Sequence, residues 1–363
     1  MNKKQINVGM FPFGGNQNPY TRLIKDSIEL TGAKVTPLMD NRIFPLRRAC
    51  HSGVDLLQMY WPGNLYVSTN KFRTFLKSVM FWDGLMCMSD LPCFYSVENL
   101  IPHDITAGID HYAMTQRIIN RCHGFIAMSD SAGKIFKNHY KLPTNAQVHI
   151  VPHRNYLDVY PNQITRDEAR AILNIPSSAK VILSLGRIEP YKGLDRLIPA
   201  FLQSSRPDDI LLIAGSARSP DVINQLNELS TKHSHAQSGS VKVIGRFIKD
   251  DELQVFHRAA DAVALTYSDM PMNPGSLIMA MGFGLPVVAP IKGAIAETAG
   301  PDALFGYDEN VTGALNHAIS SVLQSDASDL AQKGKQAHEL VASRNSRQAA
   351  SAAFSSIYES LSL

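Results

Sequence analysis

The chain has 363 residues, which at roughly 150 per domain makes about two to two and a half domains. Hydrophobic residues make up 45% and charged residues 18%, enough for two ordinary cores, while Gly 23 and Pro 20 exclude a collagen-like or low-complexity chain. A net charge of +3 is too small a basic bias for a nucleic-acid binder and suits an anionic substrate or an anionic membrane face. Cys50, Cys87, Cys93 and Cys122 stand apart, with no Cys-x-x-Cys pair and no histidine cluster at zinc spacing. That spacing predicts buried, reduced thiols and no metal centre. No apolar stretch reaches the about 18 residues of a membrane-spanning helix. The opening MNKK leads into a polar-interrupted strand rather than a signal peptide. A soluble, cytoplasmic, two-domain protein is expected.

Short apolar runs alternate with longer amphipathic stretches, the rhythm of strands and crossover helices in an α/β fold. Residues 6–13 predict a strand ending in a Gly14-Gly15-Asn16 turn, followed by a helix over about 19–31. Further strands are predicted at 54–60, 84–88, 94–97, 124–127 and 148–151. The segment 155–176, with Pro161, Asn162 and Pro176, predicts a domain boundary. The rhythm then restarts with a strand at 180–185, a helix at 195–203 and strands at 210–214 and 241–244. A helix at 250–259, a strand at 262–265, a helix at 275–281 and a strand at 286–288 follow. Beyond Asn310 the chain reads as helical, and no short repeat suggests a solenoid. Two doubly wound domains with a cleft between them are predicted.

The most informative stretch is residues 183–195, LSLGRIEPYKGLD, which joins a strand to a helix. Ligands of open α/β sheets bind beyond the carboxyl ends of the strands. Gly186 lets the backbone leave the strand tightly. Arg187 and Lys192 then set two cations beside a helix N-terminus, whose free N–H groups already favour anions. A charge-assisted contact is worth about 1.5–3 kcal/mol, so the pair suits a departing diphosphate. A plainer reading is a solvated loop with incidental cations.

On these residues the sequence resembles the GT-B-fold glycosyltransferases related to family 4. Gly186-Arg187 with Lys192-Gly193 is similar to their loop, in which an Arg and a Lys grip the nucleotide diphosphate. The resemblance continues through LLIAG at 211–215, GRFIKDDEL at 245–253, AAD at 259–261 and MAMGFGLPVVAP at 279–290, and so covers most of the second domain. In the first domain, Asn18-Pro19-Tyr20, Tyr60-Trp61-Pro62, ENLIPHD at 98–104 and Val151-Pro152-His153 resemble the acceptor-side loops. The pattern is closest to the inverting β-mannosyltransferases of bacterial exopolysaccharide assembly, family 94. It implies two Rossmann-like domains facing a central cleft. Residues 1–160 would bind acceptor, 161–343 would bind the nucleotide sugar, and a C-terminal helix at 344–363 would cross back to the first domain.

Retaining family 4 enzymes carry two glutamates where this chain has Pro271 and Met279. A thioether is at best a weak acceptor and cannot replace a carboxylate on a ribose. In their stead Asn273 suits a helix N-cap and Pro274 the first helical position. The N–H groups of Gly275 and Ser276 would then form a second anion site, unless this is only an ordinary capped helix. Inversion needs a base on the acceptor side. Glu98 is the first choice and Asp104 the second, with His103 a polar binder of sugar or phosphate. The resembling motif begins with His where this chain has Glu98, and often ends with Glu where it has Asp104. Asn273 and Glu252 are expected at the donor sugar or nucleotide. Gly14, Gly15, Asn18, Trp61 and His153 are expected at the acceptor or cleft.

Residues 71–82, KFRTFLKSVMFW, mix three cations with bulky apolar side chains. On a helix, Phe72, Phe75, Leu76, Val79 and Met80 share one stripe. The stripe either packs onto its own sheet or rests on anionic lipid. The resemblance implies a sugar acceptor carried on polyprenyl diphosphate, and hence peripheral attachment to the inner membrane. It implies a glycosyltransferase that moves mannose from GDP-mannose, with inversion, to a lipid-linked glycan in surface polysaccharide assembly. Two alternatives stand beside it: a retaining enzyme using UDP-glucuronate or a UDP-hexose, and a catalytically silent glycan- or nucleotide-sugar-binding subunit. No cofactor is expected and no essential metal, because cationic side chains take the place of Mg²⁺ and no Asp-x-Asp motif occurs.

Overall fold

A computed structural model describes residues 5–13, 19–40, 43–66, 71–88, 91–100, 109–268, 272 and 275–361, the side chains of Pro62, Asn64 and Lys71 excepted. The chain divides into two compact units, residues 1–154 with 345–363 and residues 155–344.

The first unit begins with β1 (Asn7–Phe11), α1 (Tyr20–Glu29), β2 (Lys34–Pro37), α2 (Pro45–Cys50), β3 (Leu56–Met59) and α3 (Lys71–Cys87). It continues with β4 (Cys93–Ser96), α4 (His111–Ile119), β5 (Gly124–Ala127), α5 (Asp130–His139) and β6 (Gln147–Ile150). The strands form one parallel sheet in the order β2-β1-β3-β4-β5-β6. Every residue of β3, β4 and β5 is buried, as expected of central parallel strands covered on both faces. Local chemistry sets the helix starts: the Ser129 hydroxyl accepts the Ala132 N–H and opens α5.

The strand expected at 84–88 is instead the last turn of α3. A short apolar run fits either period. Here the helical one wins, because Phe81, Gly84 and Leu85 form the buried face. A Cβ at Gly84 would lie 2.6 Å from Leu46 Cβ, so α3 packs closely on α2 there. The reading in which the Phe72 stripe packs onto the sheet is overturned: Phe72 is 69% exposed and Phe75 64%, with Leu76 and Val79 exposed beside them.

The second unit runs α6 (Arg166–Ile172), β7 (Val181–Leu185), α7 (Leu194–Ser204), β8 (Ile210–Ala214), α8 (Pro220–His233), β9 (Ser240–Ile244) and α9 (Leu253–Ala259). Then come β10 (Ala262–Ala264), α10 (Gly275–Gly282), β11 (Val287–Pro290), α11 (Gly293–Ala299), β12 (Leu304–Tyr307), α12 (Ala314–Gln324) and α13 (Ala327–Arg344). Its parallel sheet has the order β12-β11-β10-β7-β8-β9. Val181 and Leu183 of β7 enter one core and Ile182 the other, so both faces are covered. The last helix, α14 (Arg347–Ser360), lies in the first unit, where Phe354, Ile357 and Tyr358 share a core with Tyr20, Ile24 and Ile28 of α1.

The units change at 154/155 and 344/345, so the first bound lies before the 160/161 expected. Tyr156 and Tyr160 already pack on the core of the second unit. The segment expected to hold the domain boundary contains α6, opened by a capping box between Thr165 and Glu168. Arg170, wholly buried, donates to the carbonyls of Pro176, Ser177, Ala179 and Ala259 and pairs with Asp261, which also accepts the Val181 N–H. Among the described residues, no helix is long and apolar enough to cross a membrane.

Candidate active site

In the second sheet the strand order reverses between β7 and β10, the place where ligands of doubly wound folds bind. The exits of these two strands are tied together. The Ser268 N–H donates to Tyr191 O at 2.9 Å and the Thr266 hydroxyl to Lys192 O at 2.8 Å. This pins a short 3₁₀ turn, Pro190–Lys192, and with it the lysine. Lys192 Nζ stands 3.1 Å from Tyr267 Oη, over the rings of Tyr267 and Tyr191 at 4.8 and 5.9 Å. The residue is only 8% exposed and, among the described residues, has no ion-pair partner. Burial disfavours its charge, but the phenol groups of Tyr267 and Tyr191 outweigh it and hold the pKa above that of an ordinary lysine. Held by π faces and one hydroxyl, this buried ammonium has no counter-charge among the described residues.

Two glycines shape the floor beside it. Gly186 has φ +113°, and a Cβ there would lie 3.3 Å from Lys192 Nζ. Gly215, with φ +152°, brings the exits of β7 and β8 into backbone contact; a Cβ there would fall 2.0 Å from Gly186 O. These exits open on a cavity of about 170 Å³. Gly186, Arg187, Gly215 and Ser216 form one wall, and Phe247, Ile248 and Leu253 another. Leu185, His257, Val263, Leu265, Ser276 and Met279 complete it. His257 is neutral: its Nδ1 bonds Leu253 O at 2.8 Å, its ring stacks on Phe283, and burial holds its pKa down at about 4.

Arg187 is largely exposed and reaches the buried carboxylate of Glu189 at 3.0 Å. Ser276 lines the cavity from the first turn of α10; Asn273 lies outside the described residues. The Glu252 carboxylate is engaged within its own loop: Arg246 donates to both oxygens at 2.8 and 2.5 Å and the Lys249 N–H to one at 3.0 Å. Arg246 above all holds that carboxyl down at about 2. Glu252 thus braces the turn that carries Phe247 and Ile248 into the cavity wall.

In the first sheet the reversal lies between β1 and β3. Trp61, Glu98 and His153 follow β3, β4 and β6. Tyr20 gathers the rings here, with centroids 6.1 Å from Tyr60, 6.0 Å from Trp61 and 5.1 Å from His153. Trp61 takes a left-handed conformation, φ 39° and ψ 60°, uncommon for a bulky residue. Glu98 is 3% exposed, and burial first, then its charge, raises the Tyr60 phenol pKa. His153 is buried with Nδ1 2.6 Å from Arg154 O, and burial lowers its pKa to about 4. Gly14, Gly15, Asn18, His103 and Asp104 lie outside the described residues.

Residues 165–339 match the family model described as "Glycosyl transferases group 1". The second unit is a group 1 glycosyltransferase domain. Over 314 residues this glycosyltransferase is 25% identical to a GDP-mannose:glycolipid 4-beta-D-mannosyltransferase of Xanthomonas campestris pv. campestris, covering 83% of this chain and 78% of the relative. Its fold is similar to that of sucrose-phosphate synthase from Thermosynechococcus elongatus (TM-score 0.71, 17% identity, 98% of this chain and 99% of that one). It is similar also to Anabaena HepE in complex with UDP and glucose (TM-score 0.73, 16% identity, 98% and 100%). With two parallel six-stranded sheets, these likenesses show the GT-B fold.

The structure brings Gly186, Arg187 and Ser276 of the glycosyltransferase to one cavity and sets Lys192 against Gly186. Two neighbours of this site went unread in the sequence. Tyr267, the partner of Lys192, directly follows the β10 region, and the switch-point rule applied to that strand would have found it. Arg218, held by Glu189 across a separation of 29 residues, has no local signal.

Proposed function

We propose that this glycosyltransferase moves mannose from GDP-mannose, with inversion, to a hydroxyl of a glycan carried on polyprenyl diphosphate. The observation that carries the reading is Lys192, a buried cation with no ion-pair partner among the described residues, set against Gly186 at the sheet's switch point. In this reading Arg187 and Lys192 neutralise the diphosphate as the bond from its oxygen to the anomeric carbon breaks. Gly275 and Ser276 at the start of α10 add N–H donors. Glu98, or Asp104 in its place, takes the proton of the acceptor hydroxyl as that oxygen bonds to the anomeric carbon from the opposite face. GDP departs with the charge. Mannose and the glycolipid acceptor are supported by the name of the Xanthomonas relative. The reading needs no cofactor beyond the sugar nucleotide.

The test is turnover with GDP-mannose, UDP-glucose and UDP-glucuronate, each offered with a polyprenyl-diphosphate-linked oligosaccharide, and the anomeric configuration of the product by NMR. A β-linked mannoside formed only from GDP-mannose is expected. An α-linked product, or turnover with a UDP donor alone, contradicts the reading and favours the retaining alternative. One observation favours a silent binding subunit: Met279 lines the cavity where family 4 relatives carry a carboxylate. Nucleotide binding without turnover by the folded protein would select it.

The same reading seats the protein on the inner membrane through α3. Phe72, Phe75, Leu76, Val79, Trp82 and Met86 are exposed along it, interspersed with Arg73 and Lys77. Apolar anchors with cations between them suit an anionic lipid surface. Wild type is expected to float with phosphatidylglycerol vesicles at low salt, and a Phe72→Ser/Phe75→Ser variant to stay behind. Failure of wild type to float removes the membrane from the account.

A further inference from the structure

The pairing of β7 with β8 runs on beyond the strands. Leu185 pairs with Ala214, and an isolated parallel bridge then joins Ile188 to Ala217. The next residues in that register are Glu189 and Arg218. Arg218 Nε lies 3.0 Å from one Glu189 oxygen and 2.9 Å from the other, and Arg187 Nη2 lies 3.0 Å from the first. The Glu189 side chain is 6% exposed, whereas those of Arg187 and Arg218 are 60% and 64% exposed. A buried carboxylate is stable only when paired, which accounts for one arginine. Two guanidinium groups on one carboxylate leave a surplus positive charge at the cavity rim. Each guanidinium has five N–H donors. Among the described residues, the terminal amino groups of Arg218 meet no protein acceptor. The loop behind it contributes Gly215 and Ser216 to the cavity wall.

We infer that Arg218 is a second arginine for the diphosphate of the nucleotide, fixed in place with Arg187 by Glu189. The diphosphate then lies between two sets of cations: Lys192, tied to the β10 exit, and the Arg187–Arg218 pair on the β8 side. A planar guanidinium fork matches phosphate oxygens better than an ammonium. The inference rests on reading this cavity as a nucleoside-diphosphate site.

Calorimetric titration tests it with the nucleoside diphosphate that wild type binds among GDP and UDP, and with the matching monophosphate and nucleoside. Arg218→Ala, an exposed substitution with little reason to unfold the protein, is expected to weaken diphosphate binding by about tenfold or more and leave the other two unchanged. Arg218→Lys is expected to recover part of the loss. Equal weakening of all three ligands would make Arg218 a nucleoside or structural residue, and no change would make it a solvated one; either result overturns the inference. If wild type binds neither diphosphate, the glycosyl-donor reading itself falls and this one falls with it. If Lys192→Met weakens binding and Arg218→Ala does not, only this inference fails.

Discussion

The two units share one plan, a parallel doubly wound sheet, and differ in what their strand exits present. In the second unit the exits of β7, β8 and β10 present a buried lysine with no ion-pair partner among the described residues, two close-set glycines and a largely apolar cavity. In the first, the exits of β3, β4 and β6 present a buried carboxylate, Glu98, and a shell of rings from Tyr20, Tyr60, Trp61 and His153. In the proposed function one arrangement takes the polyanion and the other the proton. A site that binds phosphate is built largely from backbone, because N–H groups and glycine permit close approach. A site that moves a proton is built from a side chain whose surroundings set its charge.

The largest expected effect breaks this division of labour most visibly. With Glu98 as base, Glu98→Gln lowers turnover by about 10²- to 10⁴-fold while nucleoside-diphosphate affinity, measured by calorimetry, stays at the wild-type value. Unchanged turnover would move the base to Asp104, and lost affinity would show that the two units do not divide the work.

A smaller effect tests how alike the two units are. Each holds a buried histidine, His153 or His257, whose pKa burial lowers from 6.5 to about 4. The unfolded chain therefore binds protons that the folded chain refuses, and stability falls as pH drops between those two values. The slope is about 1.4 kcal/mol per pH unit for each histidine, with no contribution above the upper value. His153→Gln and His257→Gln are each expected to flatten the acid limb of stability, followed by denaturant unfolding at about pH 5 and 7, to a similar extent. A variant that leaves the limb unchanged shows its histidine to be charged or exposed.

The alternation of short apolar runs with amphipathic stretches revealed most of both sheets, because buried parallel strands read as unbroken apolar segments. The Gly186–Gly193 loop was legible because its glycines and cations are close in sequence and its chemistry is local. Residues 84–88 misled because their apolar run has no period of its own; only packing on Leu46 decides for helix. In α6 the Thr165–Glu168 capping box was present in the sequence but hidden by the neighbouring prolines. The grip of Glu189 on Arg218 depends on the register of β7 with β8, which no spacing within one loop encodes. The same holds for Tyr267 beside Lys192, two residues joined across the sheet.

The most direct test of the central claim is calorimetric titration of wild type and Lys192→Met with GDP, UDP and ADP, with the melting temperature of the variant recorded alongside. Methionine keeps the apolar stem against Tyr191 and Tyr267 and removes the charge. Saturable binding of one nucleotide by wild type, weakened at least about tenfold in a variant that still melts cooperatively, is the result the account predicts. Binding of equal strength in both proteins, or of no nucleotide by either, would contradict it.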